Sequence, residues 1–210
     1  MTPFRLCAIT DIGARSGGTH TAAAAAALAG GAPCVQLRAK GLAAEAALRE
    51  ARSIRTAARA AGALFIVNDR LDVALAAEAD GVHLGQDDLP AARARGLLPP
   101  GRILGVSTHS LAQARRAVED GADYIGVGPV FATATKETGY APLGLAGLSA
   151  IAAAVPVPVV AIGGIGAAEA PQVIRAGAMA AAVISILMAA PDIAAATRDL
   201  LARLAAEGIR

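Results

Sequence analysis

Three polar side chains, Gln36, Arg38 and Lys40, stand two residues apart. On a strand and its extension that period puts them on one face. Arg38 offers a planar fork for phosphate oxygens and Lys40 a point charge, so the pair suits a polyanionic ligand. Asn68-Asp69 and Asp88 add carboxylates from two later segments. Two carboxylates beside a phosphorylated ligand are a usual setting for magnesium, which prefers hard oxygen donors. Asp87 neighbours Asp88, and either could cap a helix instead. Further along, Thr133 and Thr135 supply hydroxyls and Lys136 an ammonium, in a loop that opens with Gly128-Pro129. Gly163-Gly164 and Ile184-Ser185 are small or apolar positions whose backbone N–H groups could hold a second phosphate. The pattern therefore predicts two anionic sites, one near Arg38, Lys40, Asp69 and Asp88 and one near Gly164 and Ser185, with Lys136 able to reach both. His20, His83 and His109 are too scattered to form a metal site by spacing, and each is expected to be structural or to support a ligand-binding neighbour.

These residues share a position relative to the chain's repeating texture. Apolar, β-rich runs occur at Arg5–Thr10, Cys34–Arg38, Leu64–Val67, Gly81–Leu84, Ile103–Val106, Tyr124–Val127, Val157–Ile162 and Ala181–Ser185. They are continuous rather than alternating, as expected of strands buried on both faces. Between them lie helical stretches, among them Ala43–Ala61, Leu111–Asp120, Ala167–Ala176 and Asp192–Ala206. Arg49, Arg52, Arg55 and Arg59 mark one solvated face of the first of these. Ser110 and Asp192 are placed as N-caps, and Gly62, Gly121 and Gly177 as C-terminal stops. Eight β-rich runs alternating with helices in 210 residues predict a single (β/α)8 TIM barrel of parallel strands over residues 1–210. An open doubly wound sheet would gather its chemistry at one switch point, whereas here polar residues follow nearly every run. In a barrel all of them converge on the C-terminal mouth.

Composition narrows the function. The chain is 55% hydrophobic and 17% charged, which excludes a disordered chain. Its net charge of +2 and 2% aromatic content argue against a nucleic-acid binder. No run has the length of a membrane span, and Met1–Arg15 lacks the pattern of a secretion signal. Cys7 and Cys34 form no disulfide framework or zinc spacing, so a cytoplasmic location is expected. Lys40 and Lys136 are the only lysines among 19 basic residues, and both fall in candidate phosphate positions.

The segments Val35-Gln-Leu-Arg-Ala-Lys40, Val67-Asn-Asp-Arg70, Gly81-Val-His-Leu-Gly-Gln-Asp-Asp88, Gly105-Val-Ser-Thr-His109, Gly126-Val-Gly-Pro-Val-Phe131, Thr133-Ala-Thr-Lys136 and Ala161-Ile-Gly-Gly-Ile165 resemble the thiamine phosphate synthase family. The resemblance spans residues 5 to 188 in order. It implies a transferase that joins a pyrimidine methyl diphosphate to a thiazole phosphate and releases pyrophosphate. By resemblance, Gln36, Arg38, Lys40, Asn68, Ser107 and Lys136 contact the pyrimidine diphosphate, and Asp69 and Asp88 bind magnesium. Thr133, Thr135, Gly164, Ile184 and Ser185 hold the thiazole phosphate. Arg38, Lys40 and Lys136 would meet the charge that grows on departing pyrophosphate. The expected partners are small phosphorylated molecules, and the sequence is compatible with a homodimer. Ala39 stands where the family usually has an acidic residue, and Glu137–Gly144 differs from its commonest continuation. Two alternatives share the resemblance: a thiazole tautomerase-like paralogue and a non-catalytic sensor of thiamine intermediates.

Overall fold

The structure is a computed structural model that describes residues 4–11, 18–133 and 139–209. Eight parallel strands close into a barrel in sequence order: β1 (Leu6–Thr10), β2 (Cys34–Leu37), β3 (Leu64–Asn68), β4 (Gly81–Leu84), β5 (Ile103–Thr108), β6 (Tyr124–Val127), β7 (Val159–Ile162) and β8 (Ala180–Val183). Closure is made by β1 against β8, with Cys7 beside Ala182. Each strand is followed by a helix on the outside, the arrangement that lets parallel strands be buried on both faces.

Each apolar run became a strand because it has two faces to bury. One face packs outward against helices, where Leu6, Val35, Phe65, Leu84 and Leu104 are fully enclosed. The other fills the lumen with Phe4, Cys7, Cys34, Ile66, Tyr124 and Val160. Cys7 and Cys34 are free and buried, their sulfurs 3.6 Å apart. Cys34 donates to Cys7, and that hydrogen bond and then burial push the Cys34 thiol well up.

The helices are α1 (His20–Ala29), α2 (Ala44–Ala61), α3 (Leu71–Ala76), α4 (Ala91–Leu97), α5 (Leu111–Glu119), α6 (Gly144–Ala154), α7 (Ala170–Arg175), α8 (Ser185–Met188) and α9 (Ile193–Ala206). In α2, Ala47, Ala51, Ile54 and Ala58 form the buried stripe, leaving the arginines on the other face. Gly62 ends α2 in the left-handed conformation. Ser110 caps α5 by accepting from the Gln113 N–H, and Asp192 caps α9 by accepting from Ala195.

Several boundaries differ from expectation by one or more residues. The last run stops at Val183, and Ser185 opens α8 instead of closing β8. The seventh strand starts at Val159, because Pro156 and Pro158 flank its entry and proline cannot join the ladder. The stretch expected to be helical over Ala167–Ala176 is helical only from Ala170 to Arg175. His20 is the first residue of α1, held there by the Thr19 cap. Among the described residues, no helix is long and apolar enough to cross a membrane.

Candidate active site

The ends of β1 and β2 build the cationic side of the mouth. Arg38 follows β2 directly, and its guanidinium is ion-paired with Asp11, which follows β1. The two ends are tied by Thr10, a buried residue whose Oγ1 lies 3.4 Å from both the Gln36 carbonyl and the Arg38 N–H. The same hydroxyl is 2.8 Å from His20 Nδ1. Burial is the larger influence on His20 and lowers its pKa, against the pull of Glu50 and Asp11. Lys40 sits in the turn after Arg38 with its side chain about half exposed. Its Nζ is 4.0 Å from Asp69 Oδ2.

Asp69 is one of two non-glycine residues with a left-handed backbone among those described, with φ of 65°. Its N–H donates to the His83 carbonyl at 2.8 Å, which fixes the end of β3 against β4. A polar residue held in that conformation at a strand end is often functional. Asp88 turns back on its own loop, and its Oδ2 accepts the Gly85 N–H at 2.7 Å. Neither Asp87 nor Asp88 caps α4, whose N-cap is Pro90 and carries no side-chain hydrogen bond. Asp69 and Asp88 thus come from neighbouring βα loops, and both offer hard carboxylate oxygens. That donor set fits magnesium and not a thiophilic metal. No group of three or more ligating side chains forms among the described residues.

The mouth holds two connected lobes. The inner lobe descends into the lumen, encloses about 540 Å³ of space that includes open solvent, and is lined by Gln36, Arg38, Asn68, His83, Ser107 and Tyr124 among others. Gln36 is only 5% exposed. Among the described residues, neither its side-chain amide nor that of Asn68 makes a hydrogen bond. Both amides therefore keep their donors and acceptors available to the cleft, which suits a polar ligand. The outer lobe, about 650 Å³ on the same measure, lies over β5 to β8 and is lined by Thr133, Gly163, Gly164, Ile184 and Ser185, with Pro129, Ile162 and Ile165 as apolar walls. Among the described residues, no carboxylate side chain lines it. The lobes share Ser107, Ile162, Ala182 and Ile184, so they form one continuous cleft.

Of the expected site residues, Gln36, Arg38, Asn68 and Ser107 line the inner lobe and Thr133, Gly164, Ile184 and Ser185 the outer one. Ser107 lines both. Lys40 and Asp69 meet at the rim, and Asp88 lies in the adjoining loop. Thr135 and Lys136 lie outside the described residues. Gly164 has φ of 65°, and a Cβ there would collide with the Ala132 carbonyl and approach Phe131 Cβ to 2.8 Å. The first obstacle to a side chain is therefore the β6–α6 loop rather than a ligand.

Sequence reasoning missed Asp11 as the partner of Arg38, the Tyr124–His83–Ser107 hydrogen bonds, and the stacking of Tyr140 on His109, whose rings are 3.8 Å apart. His109 Nδ1 also contacts the Gly128 carbonyl. Only the place of His83 near the end of β4 and of His109 just after β5 could have hinted at these contacts.

The family model described as thiamine monophosphate synthase matches residues 6–187. The chain belongs to the thiamine monophosphate synthase family. Curated relatives named thiamine-phosphate synthase include one from Chloroflexus aurantiacus, 52% identical over 199 residues that cover 95% of this chain and 92% of the relative. Another, from Moorella thermoacetica, is 56% identical over 83% of each chain. A solved thiamine phosphate pyrophosphorylase from Pyrococcus furiosus has the same fold, with a TM-score of 0.88, 39% identity and 96% coverage of both chains. This member of the thiamine monophosphate synthase family is accordingly an enzyme, a transferase on a closed parallel barrel.

Proposed function

We propose that the two lobes hold a pyrimidine methyl diphosphate and a thiazole phosphate end to end and couple them into thiamine phosphate. The supporting observation is their continuity through Ser107, Ile162, Ala182 and Ile184, with unlike chemistry on either side. The amides of Gln36 and Asn68 each carry a donor and an acceptor, which match the edge of an aminopyrimidine. Arg38 and Lys40 stand beside them for the diphosphate. The outer lobe suits a flat ring between Pro129, Ile162 and Ile165, with its phosphate toward Thr133, Gly164, Ile184 and Ser185. In α8, Leu187 makes the first intrahelical bond, so the Ser185 and Ile186 N–H groups have no intrahelical acceptor.

In the reaction the C–O bond of the pyrimidine methyl group breaks and its electron pair leaves with pyrophosphate. The thiazole nitrogen then donates its lone pair to the resulting cation, forming the C–N bond of a thiazolium. No proton need move, so no general base is required. Arg38 and Lys40 act where negative charge accumulates and favour the transition state over the ground state. Lys136 belongs to the same set by its place in the loop after β6. Magnesium, held by Asp69 and Asp88, would supply further neutralisation of that charge. Alignment of the two rings in one cleft replaces a bimolecular encounter with an oriented one.

Calorimetry with each substrate alone tests the division of the cleft. The pyrimidine diphosphate is expected to bind with a magnesium requirement that Arg38→Ala weakens. The thiazole phosphate is expected to bind without magnesium and to be insensitive to that substitution. Equal sensitivity of both ligands to magnesium and to Arg38→Ala would contradict the two-lobe assignment.

A further inference from the structure

Three side chains from adjacent strands form a hydrogen-bonded chain across the lumen. The Tyr124 hydroxyl is 2.9 Å from His83 Nδ1, and His83 Nε2 is 2.8 Å from Ser107 Oγ. The phenol reaches inward because residue 105 on the next strand is glycine. A Cβ at that position would overlap the Tyr124 ring. Gly126 likewise leaves space for His83, since a Cβ there would lie 3.0 Å from its Cε1. The lumen is therefore built around this chain.

The chain has a direction. Tyr124 is 4% exposed, and burial pushes its phenol well up, so it keeps its proton. Among the described residues its hydroxyl makes a single hydrogen bond, to His83 Nδ1. A buried O–H must find an acceptor, and here Nδ1 is the acceptor in reach. Nδ1 then carries no hydrogen, and the neutral imidazole holds its hydrogen on Nε2. Nε2–H donates to Ser107 Oγ. The reverse direction, or a doubly protonated imidazole, would leave the phenolic hydrogen without an acceptor on an apolar floor that includes Cys7 and Val160. With Ser107 Oγ already accepting from histidine, its own hydrogen is left for the cleft, and Ser107 lines both lobes.

We infer that Tyr124 and His83 are positioning residues that make the Ser107 hydroxyl a fixed donor, so that this point of the cleft selects a ligand atom bearing a free lone pair. Resting on the function proposed above, that atom is a ring nitrogen or phosphoryl oxygen of the pyrimidine diphosphate. A ligand presenting an N–H at the same place is disfavoured, because it can use only the second lone pair of the hydroxyl and leaves the Ser107 hydrogen without an acceptor.

Two measurements on the full chain test this. The first is the hydrogen position on the His83 ring, read from ¹⁵N correlation spectra of the free protein, with the His83 signal identified by its loss in His83→Gln. The expected result is a neutral ring protonated at Nε2. A ring protonated at Nδ1, or at both nitrogens, overturns the inference. The second is a double-mutant cycle. Tyr124→Phe should raise KM for the pyrimidine diphosphate by about 5- to 20-fold, on the scale of one hydrogen bond to a polar or charged group, and leave KM for the thiazole phosphate unchanged. In a Ser107→Ala background the same substitution should have no further effect. A full Tyr124→Phe penalty in that background would show a merely structural role and overturn the inference. If the wild-type chain forms no thiamine phosphate, the proposed function fails, while the spectrum still decides the direction of the chain.

Discussion

Replacing Arg38 by alanine probes both the substrate and the ion pair that positions the guanidinium. Two losses are superimposed in Arg38→Ala. The first is the charged hydrogen bonding to the departing diphosphate, worth about 1.5–3 kcal/mol, or a factor of about 10 to 150 in rate. The second arises from Asp11, whose carboxylate pairs with Arg38 and is 23% exposed. Without the guanidinium it loses this cation and faces another anion. At about 8 Å and an effective dielectric of about 20, that repulsion is about 2 kcal/mol, and partial solvation reduces it to about 1 kcal/mol. Arg38→Ala should therefore recover about fivefold when Asp11→Asn is added. Asp11→Asn alone should be milder than Arg38→Ala, because the cation remains. The assay is steady-state kcat/KM for the pyrimidine diphosphate at saturating thiazole phosphate. An Arg38→Ala variant close to wild type, or an Asp11→Asn variant worse than Arg38→Ala, would refute the reasoning.

Asp88→Asn should keep the loop, since an amide oxygen can still accept the Gly85 N–H made at 2.7 Å, but should raise the magnesium concentration needed for half-maximal activity by about tenfold or more; a magnesium titration in which it matches Asp87→Asn would count against the assignment. Gly164→Ala should destabilise the fold by roughly 2–4 kcal/mol, from a left-handed backbone and the collision with Ala132 and Phe131, as read by urea denaturation; a stability equal to wild type would show that the β6–α6 loop yields freely. His20 has a folded pKa below its ordinary value of 6.5 because it is buried. Its contribution to stability is therefore complete above that value and is lost as pH falls through the depressed folded value. Melting temperatures at pH 7.5 and 5.5 should show that loss, and His20→Asn should remove this component; an identical pH dependence in the variant would assign it elsewhere.

The strands were legible because a barrel strand buried on both faces must be continuously apolar, and few other segments of this chain are. The positions at the barrel mouth were legible for a related reason. Once eight strands run parallel, whatever follows each of them arrives at one mouth, so Gln36, Arg38, Asn68, Ser107 and Ser185 were placed before any contact was known. Several helices were not legible. Helices α1 and α6 are apolar almost all round, so they lack the polar stripe that distinguishes α2. Helix α8 is a single turn, and its start at Ser185 is indistinguishable from the end of an apolar run. Contacts distant in sequence were illegible for a different reason. Asp11 with Arg38 and Tyr124 with His83 are 27 and 41 residues apart, and only the strand register brings them together. Gly105 showed the same limit, because its smallness answers the bulk of Tyr124 on a neighbouring strand.

The most direct test of the account is turnover with both phosphorylated substrates and magnesium, following thiamine phosphate and pyrophosphate together, with each component omitted in turn. The account predicts equal amounts of the two products, and neither when a substrate or magnesium is left out. Isomerisation of a thiazole carboxylate phosphate without coupling, or binding of both substrates with no product, would contradict it.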